Sequence, residues 1–338
     1  MKVARLALSL FLIMGIATGC GSSGAGGNQF SSGAAGPGGE AKALTPVTQV
    51  TNWFAEPELG GQYAAQLKGF YKDAGMDMTI IPGGPQVSSV QIVASGKAQF
   101  GVVQADDLLI ARQQGIPIVA IAAIFQKNPQ GLVYHKGQNI KSPADLNGRK
   151  VYTAPGATYW EYLKKAYKLD HVQEMKYTGQ LVNFVNDPTA VTQGYVTNEP
   201  FTLKQQGIET GILLNADFGY NPYANVLFTT EKLIKDNPGL VKSFVRASLK
   251  GWTYYRDHPD EINPYIKEKN PDLPLDVIKY GAEAEKPLIF GGDAQTHGIG
   301  YMSKQRWATL IQQLSDIGVL QFKENPEKVF TNEFLPGP

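Results

Sequence analysis

From residue 47 to residue 125 the chain alternates short apolar runs with amphipathic stretches, and that alternation restricts the fold more than any other feature. Residues 47–54, 76–81, 100–103 and 116–125 read as strands, and residues 63–74, 87–95 and 106–113 as the helices between them. Gly75 stands where a helix C-cap glycine is expected, and Pro82-Gly83-Gly84-Pro85 closes the second strand. A β-α-β-α-β-α-β order predicts an α/β fold with a parallel sheet flanked by helices.

The second half of the chain repeats the alternation less regularly. The path is expected to change lobe near residues 132–136. Ser142-Pro143 then opens a short helix, with Ser as N-cap and Pro in the first turn. Residues 150–153 form a strand, Gly156-Ala157-Thr158 leads into a helix over 159–167, and residues 174–177 and 191–197 are further short strands. Residues 225–229 carry the chain back. Residues 232–255 form two amphipathic helices broken at Asn237-Pro238, and the remainder to residue 317 is mostly helical. A folded body of nearly this whole length is long for one core, so two lobes are expected: 46–132, 133–225, and a return to the first over 226–338.

The N-terminus reads as a leader rather than as part of the fold. Lys2 and Arg5 precede an apolar run from Leu6 to Ile16, too short to span a bilayer, and Ala17-Thr18-Gly19 precedes Cys20, the only cysteine. The segment resembles a bacterial lipobox, with Ala17 where Leu is usual. By that resemblance residues 1–19 are a lipoprotein signal, Cys20 is the lipidated first mature residue, and the folded body faces the outside of the cell membrane on a lipid anchor. The plain alternative is a signal peptide with an incidental thiol. Residues 21–45 are mainly Gly, Ser and Ala, a composition that cannot bury a core and acts as a tether. Random-coil scaling gives it a reach of about 25–30 Å.

Charge and composition narrow the partners. The formal net charge is +1 with no basic stripe, which argues against nucleic acid. His135, His171, His258 and His297 are scattered, and no His or Cys pairing has metal-ligand spacing. There is no Gly-x-Ser-x-Gly elbow, and Gly96-Lys97 lacks the rest of a phosphate loop. No catalytic residue, metal or cofactor is expected. Sixteen tyrosines supply flat faces with polar tips, which suit planar polar ligands although many will be ordinary packing.

An ordered set of segments carries a family resemblance. Trp53-Phe54 is followed by Ala94-Ser95-Gly96-Lys97-Ala98-Gln99-Phe100-Gly101, then by Gly115-Ile116-Pro117-Ile118 and by Pro143 to Val151. Gln193-Gly194-Tyr195-Val196-Thr197-Asn198-Glu199-Pro200 and Asn237-Pro238-Gly239-Leu240-Val241 complete it. With the lipobox, these resemble the substrate-binding lipoproteins of ABC importers, in the branch that binds thiamine pyrimidine precursors and riboflavin and is related to the alkanesulfonate-binding proteins. The resemblance implies a two-lobed periplasmic-binding-protein-like (type II) fold with two crossings and a central cleft. It also implies a monomer that hands a small vitamin ligand to a permease and its ATPase. Fungal pyrimidine synthases resemble the same proteins, but they depend on a cysteine-rich segment that this chain lacks.

Ligands of open α/β sheets sit beyond the carboxyl ends of strands. The candidates there are Trp53, Phe54 and Glu56 after the first strand, Gln86 beside a glycine loop whose N–H groups could face a ligand oxygen, and Gln104 with Asp106 after the third. Thr158, Tyr159 and Trp160 open a helix of the second lobe, Tyr195, Asn198 and Glu199 belong to the family's Tyr-x-x-x-Glu-Pro pattern, and Tyr223 lies at the return crossing with Tyr220. Each has a bland counterpart. Trp53 could pack under the lobe, Tyr159 and Trp160 could be core, Asp106 and Asp107 could be N-caps, and Glu199 could be a hinge carboxylate. Where pyrimidine-binding members carry Pro, Asn and His after the aromatic pair, this chain carries Ala55, Glu56 and Leu59. No candidate segment holds the Arg or Lys that a sulfonate would need. A neutral planar ring, riboflavin ahead of an aminopyrimidine, is the ligand expected.

Overall fold

The computed structural model describes residues 43–337. The leader, Cys20 and nearly all of the 20–45 tether lie outside the described residues.

Among the described residues, ten strands form two five-stranded sheets. The first contains β1 (Thr45–Val50), β2 (Met76–Ile81), β3 (Phe100–Val103), β4 (Ile118–Phe125) and the late strand β10 (Ala224–Thr230), in the order β2-β1-β3-β10-β4. The second contains β5 (Gln130–His135), β6 (Lys150–Thr153), β7 (Gln173–Lys176), β8 (Val191–Tyr195) and β9 (Thr210–Leu214), in the order β7-β6-β8-β5-β9. The two sheets share one plan. Three parallel strands come first, and the fourth place is taken by an antiparallel strand that has just crossed from the other half. The fold is that of the periplasmic binding proteins, and each sheet is mixed where the alternation predicted a parallel one, because the crossing strand inserts in reverse.

The crossings fall at residues 126–129 and 215–223. β5 already pairs with β8 and β9 from Gln130, so the chain changes sheet earlier than the 132–136 expected. β1 ends at Val50, which leaves Trp53 and Phe54 in the following loop and not within the strand. Helix Gly60–Leu67 stops and restarts at Phe70, where one helix over 63–74 was expected.

The core sits on both faces of the first sheet. Every residue of β4 is buried, as a strand covered on two sides requires. On one face lies the 20-residue helix Pro238–Asp257, capped by Asn237, whose side chain accepts from the Leu240 amide. Its Phe244 stacks on Phe100 of β3 with centroids 3.7 Å apart. Gly60 and Gly61 allow helix Gly60–Leu67 to lie directly on this helix, since a Cβ on either would fall about 2 Å from the ring of Tyr255 or Trp252. On the other face, helix Lys304–Asp316 contributes Trp307, Leu310, Ile311 and Leu314 to a cluster that continues under the second sheet.

Candidate ligand cleft

A cavity of about 560 Å³ lies among the loops at the strand ends of the two sheets. From the first half, Asn52, Trp53, Glu56 and Glu58 follow β1, residues 87–91 surround the start of helix Ser89–Ala94, and Gln104 and Asp107 follow β3. From the second half come Gln130, Tyr177, Gln193, Tyr195, Asn198 and Glu199, and Asn225 opens β10.

The first loop is fixed by backbone bonding. The Gly83 amide donates to Trp53 O and to Thr51 Oγ1, each at 2.9 Å. A Cβ on Gly83 would fall 2.3 Å from Thr51 O, so only glycine permits this approach. That N–H therefore holds the Trp53 loop and is not free to face a ligand. Gln86 lies outside the cavity, and Val87 to Gln91 line it in its place. Trp53 stands at the rim, 40% exposed. Phe54 meets it edge-on with centroids 5.6 Å apart and does not line the cavity.

Asn225 ties the loops together from an unusual backbone. Its φ of 48° lies in the left-handed region, where Asn is tolerated better than most residues. Its Nδ2 donates to Glu58 O at 2.6 Å, and its Oδ1 accepts from Asn52 Nδ2 at 3.0 Å. The Thr197 hydroxyl donates to Glu58 Oε1, which links the 56–59 turn to the second half. Gln104 Nε2 reaches the Tyr195 hydroxyl at 3.4 Å, while its Oε1 and Asn52 Oδ1 are buried without protein partners. Glu199 opens helix Glu199–Gln205, and its Oε2 accepts from the Tyr195 amide at 2.6 Å. The Tyr-x-x-x-Glu spacing thus closes a local loop that presents both side chains to the cavity.

Five expected contacts stand behind the wall, not on it. Asp106 is buried, and its Oδ2 accepts from the Thr158 hydroxyl and, at 3.0 Å, from the Tyr220 hydroxyl. The Asp106–Thr158 pair therefore joins the halves without lining the cavity. Tyr159 is buried, and its hydroxyl donates to Gln193 Oε1 at 3.0 Å, which orients a residue that does line it. Trp160 and Tyr223 belong to the core. The inward face of helix Thr158–Tyr167 carries Trp160, and Tyr223 lies under the Arg306 guanidinium at 3.7 Å with its oxygen accepting from the Ser303 amide. Asn52, Glu58, Gln193 and Asn225 were missed as lining residues. Glu58 and Asn225 are adjacent to flagged segments, but nothing local in the sequence marks them.

The electrostatics are one-sided. Glu56, Glu58, Asp107 and Glu199 line the cavity, and among the described residues no Lys, Arg or His does. Burial, reinforced by Glu58 and Glu199, holds the Glu56 carboxyl well above the usual carboxylate range. Burial likewise raises Glu58, against the opposing bond from Thr197. Glu199 is pushed up to about 7 by burial, with Glu58 adding to the effect and the Tyr195 amide opposing it. Tyr177 is pushed up to about 12 by burial and then by Glu199. Among the described residues, no group of three His, Cys, Asp or Glu side chains is placed to hold a metal ion. No helix among them is long and apolar enough to cross a membrane.

Comparison with known proteins decides the family. The NMT1/THI5-like family model matches residues 56–262, which include most of the lining residues. The chain belongs to the NMT1/THI5-like family. Within similar proteins, the riboflavin-binding protein RibY of Chloroflexus aurantiacus is 29% identical over 309 residues, covering 87% of each chain. The formylaminopyrimidine-binding protein of Halalkalibacterium halodurans is 24% identical over 283 residues, covering 81% of this chain and 86% of its own. Enzymes match as well: a 4-amino-5-hydroxymethyl-2-methylpyrimidine phosphate synthase of Candida albicans is 25% identical over 250 residues. In three dimensions the periplasmic aliphatic sulphonate binding protein of Escherichia coli superposes with a TM-score of 0.66 at 14% identity, over 88% of this chain and 95% of its own.

Proposed function

We propose that this protein is the extracytoplasmic solute-binding component of an ABC importer, held at the membrane through lipidated Cys20, and that its ligand is riboflavin. The observation that carries the reading is the composition of the cavity: carboxyl and amide side chains around an aromatic rim, with no basic side chain among the described residues. A volume of about 560 Å³ suits a vitamin-sized molecule. Riboflavin offers ribityl hydroxyls as donors to Glu56, Glu58 and Glu199. Its ring carbonyls and N–H suit the amides of Asn52, Gln104 and Gln193, and its tricyclic plane suits Trp53. The names of the RibY and formylaminopyrimidine-binding relatives support a binding role over turnover. The reading assigns no catalytic residue and no cofactor.

A second ligand has its own support. An aminopyrimidine would donate its exocyclic amine to Glu199, whose place beside Tyr195 is set by the family's pattern. A single small ring would leave much of the cavity to water, which ranks it second. Closure on either ligand would bend the chain at 126–129 and 215–223 and carry one face to the permease and its ATPase. The protein would act as a monomer. Calorimetry with riboflavin and with 4-amino-5-hydroxymethyl-2-methylpyrimidine tests the ranking. Tighter riboflavin binding is expected, and tight binding of the pyrimidine with no riboflavin heat would reverse it.

A further inference from the structure

The helix starts that line the cavity are poorly suited to an anion. Helix N-termini attract negative groups because their first N–H groups lack partners and the dipole is positive there. Helix Ala105–Gln113 starts at the cavity, yet its first turn carries Asp106 and Asp107. Helix Glu199–Gln205 starts with a carboxylate that lines the cavity. At helix Ser89–Ala94 the Ser88 hydroxyl oxygen already takes the Gln91 amide. No basic side chain among the described residues lines the space, and the Glu56 carboxyl takes no hydrogen bond from them, while its backbone carbonyl accepts from the Leu59 amide. Each ionised carboxylate accepts up to about four hydrogen bonds. Glu58 accepts one side-chain bond and Glu199 one backbone bond, so both keep open acceptor positions.

We infer that Glu56, Glu58 and Glu199 act together as a charge filter, so that the cleft admits a ligand edge rich in N–H and O–H donors and rejects the phosphate ester of the same ligand. The inference rests on the cavity being the ligand site, as proposed above. It adds a specificity that the fold does not impose, since a protein named for sulphonate binding shares the architecture. An anion entering here loses hydration in a partly desolvated space without a compensating cation, and any of these carboxyls that ionises adds like-charge repulsion, a recognised route to selectivity.

Riboflavin and riboflavin 5′-phosphate, titrated by fluorescence against the full-length folded body, form the test pair. Wild type should prefer riboflavin by at least about a hundredfold, equivalent to ~2.8 kcal/mol at 1.4 kcal/mol per decade. The double variant Glu56→Gln/Glu199→Gln should narrow that ratio by about tenfold, as should Glu56→Gln alone to a smaller degree. Equal or tighter binding of the phosphate by wild type overturns the filter while leaving the riboflavin reading intact, and so does a ratio that the variants leave unchanged. If neither flavin binds, the riboflavin reading fails, and the same comparison of 4-amino-5-hydroxymethyl-2-methylpyrimidine with its phosphate ester decides the filter: a clear preference for the uncharged ring supports it, and equal or tighter binding of the phosphate overturns it.

Discussion

Asn225 offers the sharpest mutational test, because its backbone strain and its two bonds can be separated. Replacement by Ala removes the Nδ2 bond to Glu58 O and the Oδ1 bond from Asn52 Nδ2. Each is worth about 1 kcal/mol net, and more where the abandoned group stays buried. Ala must also hold φ at 48°, at a cost of roughly 1–2 kcal/mol for a residue with a Cβ. The expected loss is about 3–4 kcal/mol, or a drop of about 6–8 °C in Tm for a domain of this size. Asn225→Gly loses the same bonds but relieves the strain. Glycine's extra unfolded-state entropy returns roughly 0.5–1 kcal/mol of that relief, so Gly should lie above Ala by about 0.5–1 kcal/mol. Both variants free Asn52 and Glu58, so riboflavin should bind about tenfold more weakly. Urea unfolding and fluorescence titration measure the two effects. Equal stability of the Ala and Gly variants would refute the strain argument, and unchanged affinity would refute the tie between Asn225 and the cleft.

Trp53→Ala should weaken a planar ligand by about 1–3 kcal/mol in a fluorescence titration, since stacking and apolar burial are both lost from a residue that is 40% exposed before binding. Glu285 is buried 98% with Oε2 unpaired, and burial followed by Glu58 and Glu56 holds its carboxyl well above the usual range. Its folded state stays protonated while the unfolded chain ionises, so stability falls as pH rises above about 4.5. Glu285→Gln should therefore leave the melting temperature unchanged near pH 4.5 and raise it at pH ~8, as followed by circular dichroism. Cys20→Ser should release the protein from membranes with its fold intact, and persistent attachment without a lipid adduct in mass spectra would sink the anchor.

The alternation of strands and helices over 47–125 was legible because each element has its own period and a glycine or proline boundary. The insertion of β10 between β3 and β4 was not, since a strand 100 residues downstream leaves no mark in its future neighbours. β9 was missed for a related reason: Thr210–Leu214 is a half-buried edge strand, too short for its apolar residues to show a period. The cavity residues Trp53, Glu56, Gln104, Tyr195, Asn198 and Glu199 were readable from strand ends and from the family pattern. Asp106, Thr158, Tyr159, Trp160 and Tyr223 shared those positions but face the other way, since sequence position fixes the direction of a side chain neither at a helix start nor in the loop before a strand. Asn225 was invisible because its role depends on a left-handed backbone that supports two loops remote in sequence.

The central claim is a cavity that holds one planar, donor-rich, uncharged ligand, and titration of riboflavin fluorescence with ligand-free protein tests it most directly. One-to-one quenching at sub-micromolar protein, weakened in Trp53→Ala and in Asn225→Ala, is the result expected. Folded protein that leaves riboflavin fluorescence unchanged, or that binds an aliphatic sulfonate in this cavity instead, would contradict it.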